Sequence, residues 1–582
     1  MQFFPSGQTK TPASTITLPC SPSFCSHRSA NFLGRTMRLR ERHKTMNQIS
    51  RRCLVGLAAI IGIAVTGWSI AQDKKAEPAK PKAAVPLPKI TVSKETTWAT
   101  EPLRADGTVD YLEAVNRLFS KGVTPENNAC VLLYQAMGPN PEGGKGQPDL
   151  FFRRMGVEPI PADGKYFQPL AAWARAQPNL PQDNNALNDM ESKTGERPWT
   201  KAEFPLVAEW LKQNEVPLRT IELATERPKY FSPLVGTDAV PDGALIAVLL
   251  PGVQRSRGLA RTLASRAMWE LAEGSQVDAW RDLMTMHRLG RLVGQGPTLI
   301  EYLVGIATES IAIRGELLFL SETKPSAKML AMYRKQLDRL PPRASVADKL
   351  DSCERVMFLD CAQRMARGQM KWGEIANLAE GGDGSLVQKL AEGAIMQSVD
   401  WDVVLKSANK WYDRLAATLR KPDYRERIAE VKQFNEDVKK LVEKSRGPQA
   451  LLSLLGGKPA ISQTMSDALI ALLLPAVQQV GLAEGRIIQR MRNLDLAFAL
   501  AAYRADRGAY PDSLEPLAPK YIAEIPNDLF TGQPLKYAKT ADGYLLYSVG
   551  DNEHDEEGRS FDDNPRGDDL VVRMPVPPTK DK

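Results

Sequence analysis

Histidine is scarce in this 582-residue chain: there are four, and His27 and His43 stand in the first 45 residues. Only His287 and His554 remain for the folded part, so a histidine relay or a multi-histidine metal site has almost no material. Cysteine is nearly as sparse, with Cys20, Cys25 and Cys53 near the start and Cys130, Cys353 and Cys361 beyond. An odd, scattered set of three argues against a disulfide framework. Cys353 and Cys361 lie eight apart in a helical pattern, roughly 12 Å along the axis, too far for a bridge within one helix. There is no P-loop, no dinucleotide glycine fingerprint and no zinc-spaced Cys/His set.

A genuine basic surplus is also missing. The net charge of +7 is concentrated in residues 1–71, where nine Lys and Arg face one acid, Glu41. Residues 72–582 therefore hold 67 basic and 68 acidic side chains. A nucleic-acid partner is excluded on this ground, because the cationic footprint lies in a segment expected to be removed.

That segment has its own logic. Residues 1–45 are rich in Ser, Thr, Pro and Arg without periodicity and read as a non-native or disordered leader, with Met46 as the start. Arg51 and Arg52 precede an apolar run from Leu54 to Ile70, and Ser69-Ile70-Ala71 is the small-x-small pattern read by signal peptidase. Residues 46–71 thus read as a signal peptide cleaved before Gln72. The run is also about long enough to span a bilayer, so an uncleaved anchor is the alternative. Ser50-Arg51-Arg52-Cys53-Leu54 resembles a twin-arginine signal. The expected location is the periplasm or cell envelope, with membrane contact only through this segment.

Residues 72–95 form a Lys/Ala/Pro linker whose prolines favour extended, solvated backbone, and folded sequence is expected from near Thr96. Thr124-Pro125 predicts a helix start, and Gly138-Pro139 its end. From about 201 to 480 the apolar spacing is helical and strand signals nearly vanish, giving an α-helical domain over 96–480. Residues 267–280 look like the middle of a tetratricopeptide repeat, without a second copy at the 34-residue period, so an irregular helical-hairpin stack is expected. Residues 421–446 alternate acids and bases at helical pair spacing and read as a solvated face.

This domain offers little chemistry. His287 reads as a partly buried helix histidine. Glu301 and Glu309 could face one way as paired carboxylates, or pair with arginines such as Arg288 and Arg291. Trp401 and Trp411, flanked by Asp400, Asp402 and Asp413, loosely resemble a sugar platform but more simply read as core. No catalytic residue is assigned. An exported carboxylate-dependent enzyme with its site in this domain is the alternative to a structural or binding protein, and the repeat-like hairpin suggests a scaffold for protein partners.

The tail is more specific. Leu494, Ala497, Phe498 and Ala501 make one apolar helix face ending at Gly508, followed by strand signals at Leu535–Ala538, Tyr544–Ser548 and Leu570–Met574. The fold class is therefore mainly α, with a small α+β module over 481–575 (one helix and three strands, which the resemblance below implies pair as a three-stranded antiparallel sheet) and a tail over 576–582. Nine acids lie between Gly550 and Leu570. Calcium takes six to eight oxygen ligands, and clustered carboxylates with Gly558 and Gly567 for turns could supply them. The acids Asp551, Asp555 and Asp568 are candidate ligands, and the resemblance below adds Asn552 and Asp569.

Tyr503-Arg504-Ala505-Asp506-Arg507-Gly508-Ala509-Tyr510-Pro511, Ile525-Pro526-Asn527-Asp528 and Gly543-Tyr544-Leu545-Leu546-Tyr547-Ser548-Val549-Gly550 together resemble the soluble domain of the major pseudopilin of type II secretion. The whole chain also resembles exported planctomycete proteins with such tails, which adds no activity. The resemblance implies a calcium loop beginning Ser-x-Gly-x-Asp-Gly. In that register Ser548 and Gly550 match, Asn552 replaces the aspartate, Asp569 matches the aspartate before the last strand, and Glu557-Gly558 stands for Gly-Gly. Leu472–Val477 resembles the proline-bearing part of the pseudopilin assembly helix. The run Ala468–Val477 is too short to cross a bilayer and lacks the processing site of a free N-terminus. A fused, immobilised module with protein partners in the envelope is expected, not a pilus subunit.

Overall fold

The computed structural model describes residues 88–578 apart from 142–145, 237–243, 249, 251, 375–393, 447–455 and 475. The leader, the signal segment, most of the linker, Pro475 and the end of the tail lie outside the described residues.

The body is built from helices α1 (Tyr111–Phe119), α2 (Ala129–Met137), α3 (Glu215–Ala224), α4 (Val253–Ala272), α5 (Gln276–Val293), α6 (Leu299–Glu322) and α7 (Ala327–Asp338). It continues with α8 (Arg355–Ala366), α9 (Trp401–Leu419), α10 (Tyr424–Arg446), α11 (Gly457–Leu473) and α12 (Ala476–Arg507), with further helices between them, among them Asn184–Glu196 and Pro205–Gln213. The repeat-like stretch is the α4–α5 hairpin. Gly274, at φ +83°, makes its turn, and Ala267 and Ala279 are fully buried. That backbone region is open to glycine at little cost.

α6 is the central element. It starts with a capping box in which Thr298 and Glu301 satisfy each other's backbone N–H groups. Its buried residues lie around most of its circumference, as expected of a helix enclosed by others. A Cβ on Gly305 would stand 2.5 Å from the Gly290 carbonyl oxygen, so glycine is what lets α5 and α6 approach.

Two local expectations shift. The helix signalled by Thr124-Pro125 begins at Ala129, because Thr124–Asn127 close a turn and Asn128 is the cap. The Asn128 side chain also exchanges hydrogen bonds with the backbone of Phe231 at 3.0 and 2.9 Å, which anchors the start of α2 to that segment. At the N-terminal end, Thr91 N–H donates to Asp402 and Asn409 donates to the Glu95 and Thr96 carbonyls, so packing begins a few residues ahead of Thr96. Buried Arg355 holds Trp98 from the other side, its guanidinium 3.9 Å from the ring centre.

The C-terminal sheet is a three-stranded antiparallel meander, β1 (Lys536–Lys539), β2 (Tyr544–Ser548) and β3 (Leu570–Met574), in the order β1-β2-β3. The first strand starts one residue later than expected, leaving Leu535 buried ahead of it. Tyr544, Leu546 and Ser548 of β2 and Leu570, Val572 and Met574 of β3 face inward, as the period of two requires. They pack on α12.

α12 runs from the helical body into the α+β part without a break. Its Phe498 lies edge-on to Trp280 of α5 at 5.8 Å, and Trp280 in turn touches Tyr333 of α7 at 4.4 Å. One hydrophobic core therefore extends from Val109 to Met574. A second cluster, Tyr424, Leu529, Phe530 and Leu570, ties α10 to the sheet end. In α11, Ala468, Leu469 and Ile470 are buried, so this part of the apolar run packs inside the body. No helix among the described residues is long and apolar enough to cross a membrane.

Candidate metal centre

The loop joining β2 to β3 is pinned at both ends before its acids come into play. Buried Asp528 accepts from Val549 N–H at 3.0 Å and from Phe530 N–H at 2.8 Å. Asn493 of α12 donates to the Leu570 carbonyl at 2.8 Å, and Gln489, also on α12, bonds to Asn493 and receives Leu529 N–H, each at 2.7 Å. Far along the loop, Asp563 accepts from Ser560 N–H and from Arg573 at 2.8 Å. Burial opposes ionisation of Asp563, but these donors outweigh it and hold its carboxyl down at about 2.

Inside this frame, one carboxylate oxygen each from Glu556, Asp568 and Asp569 lies within 4.8 Å of the other two. Asp569 is 2% exposed, and its Oδ2 accepts from Gly558 N–H at 2.7 Å. Asn552 braces the other two: its backbone N–H reaches Asp568 Oδ2 at 3.3 Å and its amide donates to Glu556 Oε1 at 2.7 Å. Glu556 Oε2, Asp568 Oδ1 and Asp569 Oδ1 are all buried without a hydrogen-bond partner. Burial, then the charges of Asp551 and Glu556, push Asp568 up to about 7. Burial and Glu556 push Asp569 up to about 6. Carboxylates that share a small space cannot all ionise cheaply, and a cation or shared protons must relieve them.

Of the five expected ligands, Asp568 and Asp569 converge and Asn552 supports them. Asp551 turns outward to Arg486 of α12, with contacts of 2.6 and 2.7 Å. Asp555 lies on the sheet, accepting from Tyr547 OH at 3.0 Å and pairing with Lys536 at 3.2 Å. Glu556, the third converging carboxylate, lies outside the expected set. The signal for it is its place just before the Glu557-Gly558 turn, where the chain doubles back toward Asp569.

The helical body resolves the other candidates into structural networks. Glu309 takes a bidentate grip from Arg343 at 3.0 and 2.8 Å and a bond from Arg291 at 2.7 Å. His287 is fully buried, not partly so, with Glu316 3.0 Å from Nε2 and Glu309 3.8 Å from Nδ1. Burial alone would lower the His287 pKa, but the two glutamates raise it to about 9. Glu301 does not pair with Glu309; it is committed to the α6 cap. Trp401 and Tyr412 are core residues, and Trp411 packs edge-on to Phe434 at 5.3 Å.

Comparison with protein-family models, curated proteins and solved structures gives no match to this chain.

Proposed function

We propose that this is an exported cell-envelope protein with a structural or binding role, in which a pseudopilin-like C-terminal module carries a calcium-ordered loop. The observation that carries the reading is the convergence of Glu556, Asp568 and Asp569, each with a buried oxygen that accepts no hydrogen bond. Buried polar atoms without partners are rare in native proteins, and a divalent cation would satisfy all three at once. Carboxylates from two ends of one long loop suit calcium, whose coordination shell is large and flexible.

The backbone supports the pseudopilin register. Glu553 and Glu557, at φ +58° and +60°, hold the left-handed conformation where that family's loop has glycine. In this reading the helical body presents the module at the cell envelope and α12 immobilises it, so the protein acts as a fixed element and not as a filament subunit.

The test is recovery of partners from envelope extracts by the full chain, with calcium and with chelator. Partners retained only with calcium support the reading; a chain that stays in the cytosol with its N-terminus intact contradicts it.

A further inference from the structure

We infer that Arg486 sets the calcium affinity of this loop by holding Asp551 out of the ligand set as a fourth carboxylate in reserve. The inference rests on the calcium reading above and concerns residues that reading leaves outside the converging trio.

Asp551 sits between two residues whose backbone runs beside Asp568. A Cβ on Gly550 would lie 3.1 Å from Asp568 Oδ2, and Asn552 N–H donates to that same oxygen. The Asp551 side chain is nevertheless turned to α12, where Arg486 Nε and Nη2 approach its Oδ1 at 2.7 and 2.6 Å. The position is within reach of the site, and an arginine on a rigid helix decides where the carboxylate points. The trio is more than a cluster of acids, because Asp569 is 98% buried yet leaves Oδ1 unpartnered.

Calcium affinity in oxygen-ligand sites follows the number of charged ligands, and extracellular modules sit at the weak, millimolar end. Arg486 acts in that direction twice. It removes a carboxylate from the ion and places a positive charge beside it. Releasing Asp551 by removing Arg486 adds the ligand and deletes the repulsion.

Calcium titration calorimetry of the full chain separates these effects. Arg486→Gln is expected to tighten the wild-type dissociation constant roughly tenfold, as one more charged ligand does. Asp551→Asn alone should stay within about threefold of wild type, since its carboxylate is not bound to the ion. The double variant Arg486→Gln/Asp551→Asn should return to the wild-type value. If Arg486→Gln leaves affinity unchanged, or the double variant keeps the whole gain, Asp551 is no reserve ligand and the inference fails. Should Arg486→Gln not fold, Arg486→Lys serves: a lysine cannot reproduce the arginine fork, so a gain of about threefold is expected and none would overturn the proposal. Absence of binding in the wild type and every variant would sink the calcium reading itself, a result distinct from binding that ignores Arg486.

Discussion

Asp568 and Asp569 are consecutive in the chain, yet each brings a carboxylate oxygen to within 4.8 Å of the other and of Glu556. Neighbouring side chains on an extended strand point to opposite faces, so this convergence needs the irregular backbone that precedes β3. It is held from outside: Gly558 N–H fixes Asp569, Asn552 N–H fixes Asp568, and Asp569 N–H donates to the Arg559 carbonyl. The loop maintains like charges at close quarters that would otherwise spread apart.

The pair makes stability depend on pH in a defined direction. Folded Asp568 and Asp569 titrate near 7 and 6, above the usual 3.8, so their contribution is fully present below about pH 3.8 and lost as pH rises through 6 to 7. In chelator, the melting temperature should therefore fall between pH 5 and pH 8. Millimolar calcium should remove that fall, and binding at pH 6.5 should release protons, seen as heats that vary with the buffer.

Removing single carboxylates should sort the loop residues. Asp569→Asn and Glu556→Gln should weaken calcium binding by at least roughly tenfold, because each removes a charged ligand. Both should also stabilise the ion-free chain at pH 8 by relieving repulsion. Asp512→Ala, at an exposed position paired with Lys539, should change neither property and serves as the control in the same melting and titration series.

His287 offers a test of the helical body. Its folded pKa of about 9 lies above the ordinary 6.5, so its stabilising contribution is complete below pH 6.5 and lost as pH rises through 9. His287→Ala should cost about 3–5 kcal/mol in denaturant unfolding at pH 7, because Glu316 would be left buried without its counter-charge.

Much of this arrangement was legible in the sequence wherever periodicity or turn chemistry decides the local structure. The α4–α5 hairpin, the inward faces of β2 and β3 and the end of α12 before Gly508 follow from spacing alone. Asp568 and Asp569 stand out in the sequence as adjacent acids before a strand, and the pseudopilin resemblance singles out Asp569. Glu556 was not legible, since its approach depends on a left-handed turn at Glu557, a residue that seldom adopts one. Nor was the pairing of Asp551 with Arg486, or of His287 with Glu316, because these join residues 65 and 29 positions apart through helix packing. The start of α2 moved for the same reason: Asn128 is claimed by Phe231, far along the chain.

The export segment predicts a processed N-terminus. Sequencing the native protein should give Gln72, from cleavage after Ser69-Ile70-Ala71. A chain that retains residues 46–71 and fractionates with membranes would show an anchor instead.

The most direct measurement is calorimetric titration of the full chain with calcium and, separately, magnesium. Saturable calcium binding is predicted, together with a rise in melting temperature that corresponds to about 2.7 kcal/mol at a hundredfold excess over the dissociation constant. Magnesium should bind more weakly, since it demands a strict octahedron and dehydrates reluctantly, whereas calcium accepts irregular oxygen sets. Neither binding heat nor a melting shift with millimolar calcium would contradict the account, and Glu556, Asp568 and Asp569 would then be a proton-sharing cluster.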